Sequence, residues 1–397
     1  MQHPTKTPLS DALRRLVGRP VADIDTPALV VDLDAIQRNL GRMAEFARKH
    51  NIRWRPHAKM HKSSAIARLQ IQAGAVGVCV QKTSEAEAMV AGGVHNVYIS
   101  NEVTAPAKLA RVADLAHAVA AENGQLAIAV DSLEGVRRLA DAMNERRRGG
   151  AGAVIDVFVE VDVGGGRCGV TPGRAGVQLA HEIRRHPALR FAGLQAYNGK
   201  AQHLRTAQER HDAVGIVVQD VLFTRKLIEA EGVPVNLVTG AGTGSLVCEA
   251  ASGVFGELQA GSFLFMDADY AANERDPAQP QFEHALFIKS QVMSCGVRHA
   301  VCDAGHKSHA IDSGLPRVLE LPATGALEYF NGGDEHGILR PAGDNQRVPA
   351  LDDVVWLIPG HCDPTVNLHG FMIGVGGGLE HGKVEKIIRV DARGALT

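Results

Sequence analysis

The sequence predicts a (β/α)8 barrel followed by a C-terminal, mostly antiparallel β domain, and three observations carry that expectation. Short runs rich in Val, Ile and Leu alternate with longer Ala-, Arg- and Glu-rich stretches of helical period, the pattern of parallel strands joined by crossover helices. Eight such runs fall within about 250 residues, the usual span of this barrel. Beyond residue 280 the helical stretches stop and strand-like pieces are punctuated by Gly and Pro.

The runs can be placed in order. After an initial strand around Ala28 to Asp32, candidates lie at 53–58, 76–80, 97–100, 126–130, 155–161, 191–196, 235–239 and 257–260. A doubly wound open sheet is the alternative, because a strand count does not prove closure. In the second unit, HALFIKSQVMS, HAVCDAG, DVVWLIPG and KVEKIIRV read as strands, and LEYFNGG and FMIGVGGGLEHGKVEKI as hairpins whose glycines supply positive φ. The expected division is a barrel over 25–275 and a β domain over 276–397, joined by the N-terminal segment 1–32.

A chain of 397 residues with 45% hydrophobic side chains can bury a large core. Its formal charge of −2 and pI near 6.8 create no field that would gather nucleic acid or an anionic membrane. The basic run Arg146-Arg147-Arg148 reads as a solvated helix end before Gly149-Gly150. Six cysteines stand singly with no CxxC pair, which suits a reducing compartment. Neither a signal-peptide core nor a run of about 20 apolar residues is visible, so a cytoplasmic location is expected.

Active sites of this barrel form where strands end, so the polar residues there matter most. The run 53–58 leads into Lys59. The seventh run ends in Thr239-Gly240-Ala241-Gly242-Thr243-Gly244-Ser245, where glycines let backbone N–H groups approach a phosphate and Thr243 or Ser245 can add a hydroxyl. This is not the dinucleotide fingerprint, since Ser245 takes the last glycine position. One lysine and one phosphate cup suggest pyridoxal phosphate.

The order of motifs then becomes specific. Pro27-Ala28-Leu29-Val30-Val31-Asp32, Arg55-Pro56-His57-Ala58-Lys59, Gln81-Lys82-Thr83-Ser84-Glu85-Ala86, Glu160-Val161-Asp162-Val163-Gly164, Gly166-Arg167-Cys168-Gly169-Val170, Leu194-Gln195-Ala196-Tyr197 and Asp334-Glu335-His336-Gly337 resemble the alanine-racemase-fold (fold type III) branch that contains D-threonine aldolases, 3-hydroxy-D-aspartate aldolases and D-serine dehydratases. The resemblance runs from about residue 25 to the C-terminus. It implies that Lys59 holds the cofactor as a Schiff base, that Arg167 faces its phenolic oxygen and Tyr197 lines its ring and phosphate, and that Thr239, Gly242 and Thr243 belong to its binding set. Gln259 falls where racemases place an arginine against the pyridine nitrogen. A neutral amide there would leave that nitrogen less firmly protonated, weakening the electron sink and disfavouring free racemisation.

In Pro359-Gly360-His361-Cys362-Asp363-Pro364-Thr365, an extended backbone would put His361 and Asp363 on one face and turn Cys362 away. Imidazole plus carboxylate suits Mn²⁺ or Mg²⁺, with Zn²⁺ as a further candidate. The resemblance implies a divalent metal there, and Asp363 in place of the His-x-Cys of the dehydratases tilts the reading to an aldolase. It also implies that His203 acts near the substrate's β-hydroxyl. The expected reaction is cleavage of D-threonine or 3-hydroxy-D-aspartate to glycine and acetaldehyde or glyoxylate, by a homodimer with no nucleic-acid or membrane partner. The rivals are a dehydratase releasing a 2-oxo acid and ammonia, and a non-catalytic cofactor-homeostasis protein of the same fold.

Overall fold

Strand β1 (Ala28–Asp32) belongs to the sheet formed mainly by the C-terminal third: it pairs antiparallel with β10 (Leu286–Cys295) and parallel with β16 (Phe371–Gly376). The structure, a computed structural model, describes residues 8–146, 152–321, 325–343 and 347–397. Asp32 ends β1 and caps the next helix, Leu33–Lys49, accepting from the N–H groups of Asp34 and Ala35. That helix buries Ile36, Leu40, Met43 and Phe46 along one stripe, each contributing roughly 1.5–3 kcal/mol of apolar burial.

The eight predicted runs are the eight strands of the parallel sheet: β2 (Arg53–Trp54), β3 (Val78–Val80), β4 (Asn96–Ile99), β5 (Gln125–Val130), β6 (Ile155–Glu160), β7 (Leu189–Ala196), β8 (Val238–Gly240) and β9 (Glu257–Leu258). Their order is β2-β9-β8-β7-β6-β5-β4-β3. The two ends of that order meet through the parallel bridge His57–Cys79 and the bonds Val76 N–H to Trp54 C=O (3.0 Å) and Cys79 N–H to Pro56 C=O (2.9 Å), bringing the sheet round on itself. Tyr98 and Phe158 pack inside, ring centroids 4.9 Å apart. Glu257, fully buried, ties the β2–β9 seam by pairing with Arg53 (2.9 Å) and Arg55 (3.1 Å).

The second sheet adds β11 (Ala300–Cys302), β12 (Arg317–Val318), β13 (Leu327–Asn331), β14 (Gly337–Pro341), β15 (Val354–Ile358) and β17 (Lys383–Arg389) to β10, β1 and β16. Apart from β1 against β16 its pairings are antiparallel. Both expected hairpins form, β13–β14 and β16–β17, the latter turning through Gly377 and Gly378 at φ of 77° and 87°. Val30, Phe287, Trp356 and Ile373 make this domain's own core. Of the basic run, Arg146 pairs with Asp114 at 2.7 Å, whereas Arg147 and Arg148 lie outside the described residues. The six cysteines are free. No helix among the described residues is long and apolar enough to cross a membrane.

Candidate active site

Strand β2 is short because Pro56 cannot continue the ladder as a donor, and the chain leaves it into a 3-10 turn, Ala58–Met60, capped by His57. This turn sets Lys59 into a cavity of about 230 Å³ at the strands' C-terminal ends, walled also by Arg167, Tyr197, Gln259 and Tyr270. Lys59 Nζ forms an ion pair with Asp363 Oδ2. Burial works against the ammonium, but the Asp363 charge outweighs it and holds Lys59 above its ordinary range. Burial likewise opposes the Asp363 carboxylate, and Lys59 and His361 overcome it, so that group stays ionised. His57 is driven well below the usual histidine range, first by burial and then by the Lys59 charge, so it is neutral; its Nε2 lies 2.9 Å from Gln81 Nε2 and 3.2 Å from Ser100 Oγ.

Between β8 and the helix Leu246–Ala251 the chain makes the expected cup. The N–H groups of Gly242 and Thr243 donate to no described acceptor and border the cavity. A Cβ on Gly242 would come within 2.3 Å of Gln202 Oε1, so a larger residue would have to displace that buried amide. The choice between two hydroxyls is settled locally. Thr243 lines the cavity, accepting from Phe263 N–H (2.9 Å), while Ser245 Oγ donates inward to Glu249 Oε1 (2.8 Å). Thr239 requires a correction. It is fully buried and absent from the cavity wall, with its hydroxyl between Glu257 Oε1 (3.1 Å) and Gln259 Nε2 (2.9 Å), so it can reach a ligand only through Gln259. Arg167 lies over the Tyr197 ring, 5.6 Å from its centroid.

The His361–Asp363 segment also departs from expectation. It is not a strand: His361 is extended (φ −146°, ψ 126°) and caps a helix, Cys362–Leu368, in which Asp363 occupies the first turn. Pro364 is tolerated there, and a carboxylate at a helix start is favoured by the exposed N–H groups. Thr365 Oγ1 closes the turn by donating to His361 C=O (2.7 Å). The two side chains still converge, with His361 Nε2 3.9 Å from Asp363 Oδ1, a buried oxygen with no hydrogen-bond partner among the described residues. Cys362 is buried, its thiol against Met266 C=O (3.4 Å) and raised well above the usual range by burial.

Sequence reasoning missed two carboxylates here. Asp312 Oδ2 holds His361 Nδ1 at 2.7 Å, the arrangement that fixes a metal-binding imidazole's tautomer and aim. Asp267 accepts from Cys362 N–H (3.1 Å) and Tyr270 N–H (3.0 Å) and is pushed up to about 6, chiefly by burial. Neither lies near His361 or Cys362 in sequence, and Asp312 before Ser313-Gly314 reads as a turn. His203 stands at the rim, not in the cavity wall: the 3-10 turn Lys200–His203 follows β7, and Nδ1 sits 2.7 Å from Asp269 Oδ2, whose other oxygen holds Arg205. Its ring is 6.0 Å from that of Tyr270, which does line the cavity. A second set of cation-capable groups, Glu102, Asp131 and Cys168, has ligand atoms within 4.8 Å of one another. Burial and then Glu102 push the Cys168 thiol up to about 11, so it is a proton donor there and a poor ligand.

These residues fit both implied groups. An amine beside backbone N–H donors that have no described acceptor suits a phosphorylated aldehyde, and an unpartnered buried carboxylate oxygen facing a carboxylate-held imidazole suits a divalent cation.

Residues 31–269 match the family described as the alanine racemase N-terminal domain, and residues 285–375 the putative serine dehydratase domain. The chain is 42% identical over 378 residues to a D-threonine aldolase of Arthrobacter sp, covering 95% of each chain. It is 40% identical over 385 residues to a 3-hydroxy-D-aspartate aldolase of Paracoccus denitrificans (strain Pd 1222), covering 96% of this chain and 95% of that one. The crystal structure of D-threonine aldolase from Filomicrobium marinum superimposes with a TM-score of 0.88 at 45% identity, over 95% of this chain and 98% of that one.

Proposed function

This chain belongs to the family of D-threonine and 3-hydroxy-D-aspartate aldolases built on the alanine-racemase fold, and we propose that it cleaves D-3-hydroxy amino acids to glycine and an aldehyde with pyridoxal phosphate on Lys59 and a divalent metal on His361 and Asp363. One observation carries the reading: Lys59, presented by the barrel, and Asp363, presented by the β domain, are in direct contact, with His361 beside them. Chemistry that must grip an amino group and a neighbouring hydroxyl together needs such adjacency.

When bound, the cofactor supplies an electron sink for the pair left by the broken Cα–Cβ bond, and the metal supplies Lewis acidity toward the hydroxyl. The chain's own part is to hold and aim. Gly242 and Thr243 N–H groups and the Thr243 hydroxyl would take the phosphate, Arg167 the phenolic oxygen, and Tyr197 a face of the ring. The His203–Asp269 pair is the base for the hydroxyl proton: Asp269 fixes Nδ1, leaving Nε2 free to accept. Asp363, a hard oxygen donor, together with the turned-away Cys362 thiol, favours Mn²⁺ or Mg²⁺ over a thiolate-held Zn²⁺. Free cysteines suit the cytoplasm, and the family resemblance supports a homodimer.

Product analysis with D-threonine, 3-hydroxy-D-aspartate and their L-enantiomers tests the reading. Glycine with acetaldehyde or glyoxylate, from the D-forms only, is expected. A 2-oxo acid and ammonia without glycine would replace the aldolase by a dehydratase.

A further inference from the structure

Gln259, just beyond β9, offers one end of its amide to the cavity, and the surrounding hydrogen bonds decide which end. Thr239 Oγ1 lies 3.1 Å from Glu257 Oε1 and 2.9 Å from Gln259 Nε2. Glu257 is buried between Arg53 and Arg55, so it is an acceptor and the Thr239 hydroxyl must donate to it. With its one proton committed, Thr239 can only accept from Gln259, and the atom facing it must be the amide nitrogen.

The second amide hydrogen points to Gln195 Oε1 at 3.3 Å. Gln195 is itself fixed, because its nitrogen donates to Ser100 C=O (3.4 Å), which can only accept, and to Glu160 Oε2 (2.7 Å), and its oxygen takes the Tyr98 hydroxyl. Both hydrogens of Gln259 are therefore engaged inside the barrel. Its oxygen has no partner among the described residues and is not among the buried unpartnered atoms, so it opens on the cavity.

We infer that Gln259 is a hydrogen-bond acceptor for the cofactor's pyridine nitrogen and keeps that nitrogen protonated, with Thr239 and Gln195 as the positioning residues that lock the amide. The inference rests on the cofactor reading above. Lys59 takes the carbon para to the nitrogen, and Gln259 stands where the family resemblance sets a group against that nitrogen. The expectation that a neutral amide leaves the nitrogen loosely protonated holds for an amide free to turn and offer donor and acceptor alike, and the two bonds that fix Gln259 overturn it. An amide locked oxygen-forward accepts only, and a ring so protonated is the stronger electron sink.

The test is the ¹⁵N NMR shift of the ring nitrogen in holoenzyme reconstituted with ¹⁵N-labelled pyridoxal phosphate. Wild type and Gln259→Glu should both give the protonated shift. Gln259→Arg, which offers donors alone, should give the unprotonated one, and Thr239→Val, which frees the amide to turn, should fall between. An unprotonated nitrogen in wild type overturns the inference without reference to any variant, and a Thr239→Val shift identical to wild type overturns the positioning role. Failure of wild type to hold the labelled cofactor on Lys59 would instead sink the cofactor reading, so the two failures are distinguishable.

Discussion

The barrel and the β domain contribute to one cavity in opposite ways. On the barrel side the side chains beneath the wall hold one another in place: Gln259 bonds to Thr239, Thr239 to Glu257, Glu257 to two arginines, and Ser245 to Glu249. On the β-domain side Asp363 Oδ1 is buried without a partner, and His361 is steered by Asp312, whose side chain is 51% exposed. A wall whose side chains lock one another is preorganised for a group that stays, whereas an open carboxylate oxygen beside a steered imidazole suits an ion that exchanges. The difference teaches that cofactor retention and metal retention should separate experimentally, although their residues touch.

The largest expected break is Lys59→Ala, which should remove the visible absorption band and lower kcat/KM by about a thousandfold or more. Absorption spectra and steady-state rates check it. Retention of covalently bound, reducible cofactor would move the attachment elsewhere; Lys62 is a poor substitute because its ammonium is committed to Glu85 at 2.8 Å.

The barrel was legible because its strands are short apolar runs separated by helix-length stretches, and position along the chain then placed Lys59 and the glycine loop. The closeness of His361 and Asp363 was legible but its geometry was not, since a period of two and the first turn of a helix both bring the two side chains together. Asp312 and Asp267 were not legible at all: they lie 49 and 95 residues from the groups they hold, and only the fold closes that separation. Thr239 was assigned to the ligand because it opens the glycine loop, but its hydroxyl turns to Glu257 and Gln259 instead of the cavity.

A smaller effect sharpens the comparison on the β-domain side. Asp312→Asn keeps the contact to His361 but loses the charge, and should weaken Mn²⁺ binding by about tenfold while the cofactor band is unchanged. Calorimetric titration of the metal-stripped holoenzyme checks it, and an equal loss of cofactor would show that the two sides do not separate.

The smallest effect probes the barrel side through pH. Burial raises the Glu249 carboxyl from 4.5 to about 8 beneath the glycine loop. Between those values the folded chain keeps a proton that the unfolded chain has released. The contribution to stability is therefore whole below about pH 4.5 and is lost as pH rises through 8. Glu249→Gln, neutral throughout, should be more stable than wild type by on the order of 1 kcal/mol at high pH, discounted for the amide hydrogen it buries. Thermal melts from pH 5 to 9 should show that margin grow with pH.

The most direct test of the whole account is chelation of the holoenzyme, followed simultaneously by glycine formation and by the visible spectrum. The expected result is that glycine formation from D-3-hydroxy amino acids stops, the band on Lys59 persists, and added Mn²⁺ or Mg²⁺ restores turnover. Full turnover in protein shown by elemental analysis to be metal-free would contradict it, leaving His361 and Asp363 with a structural role alone.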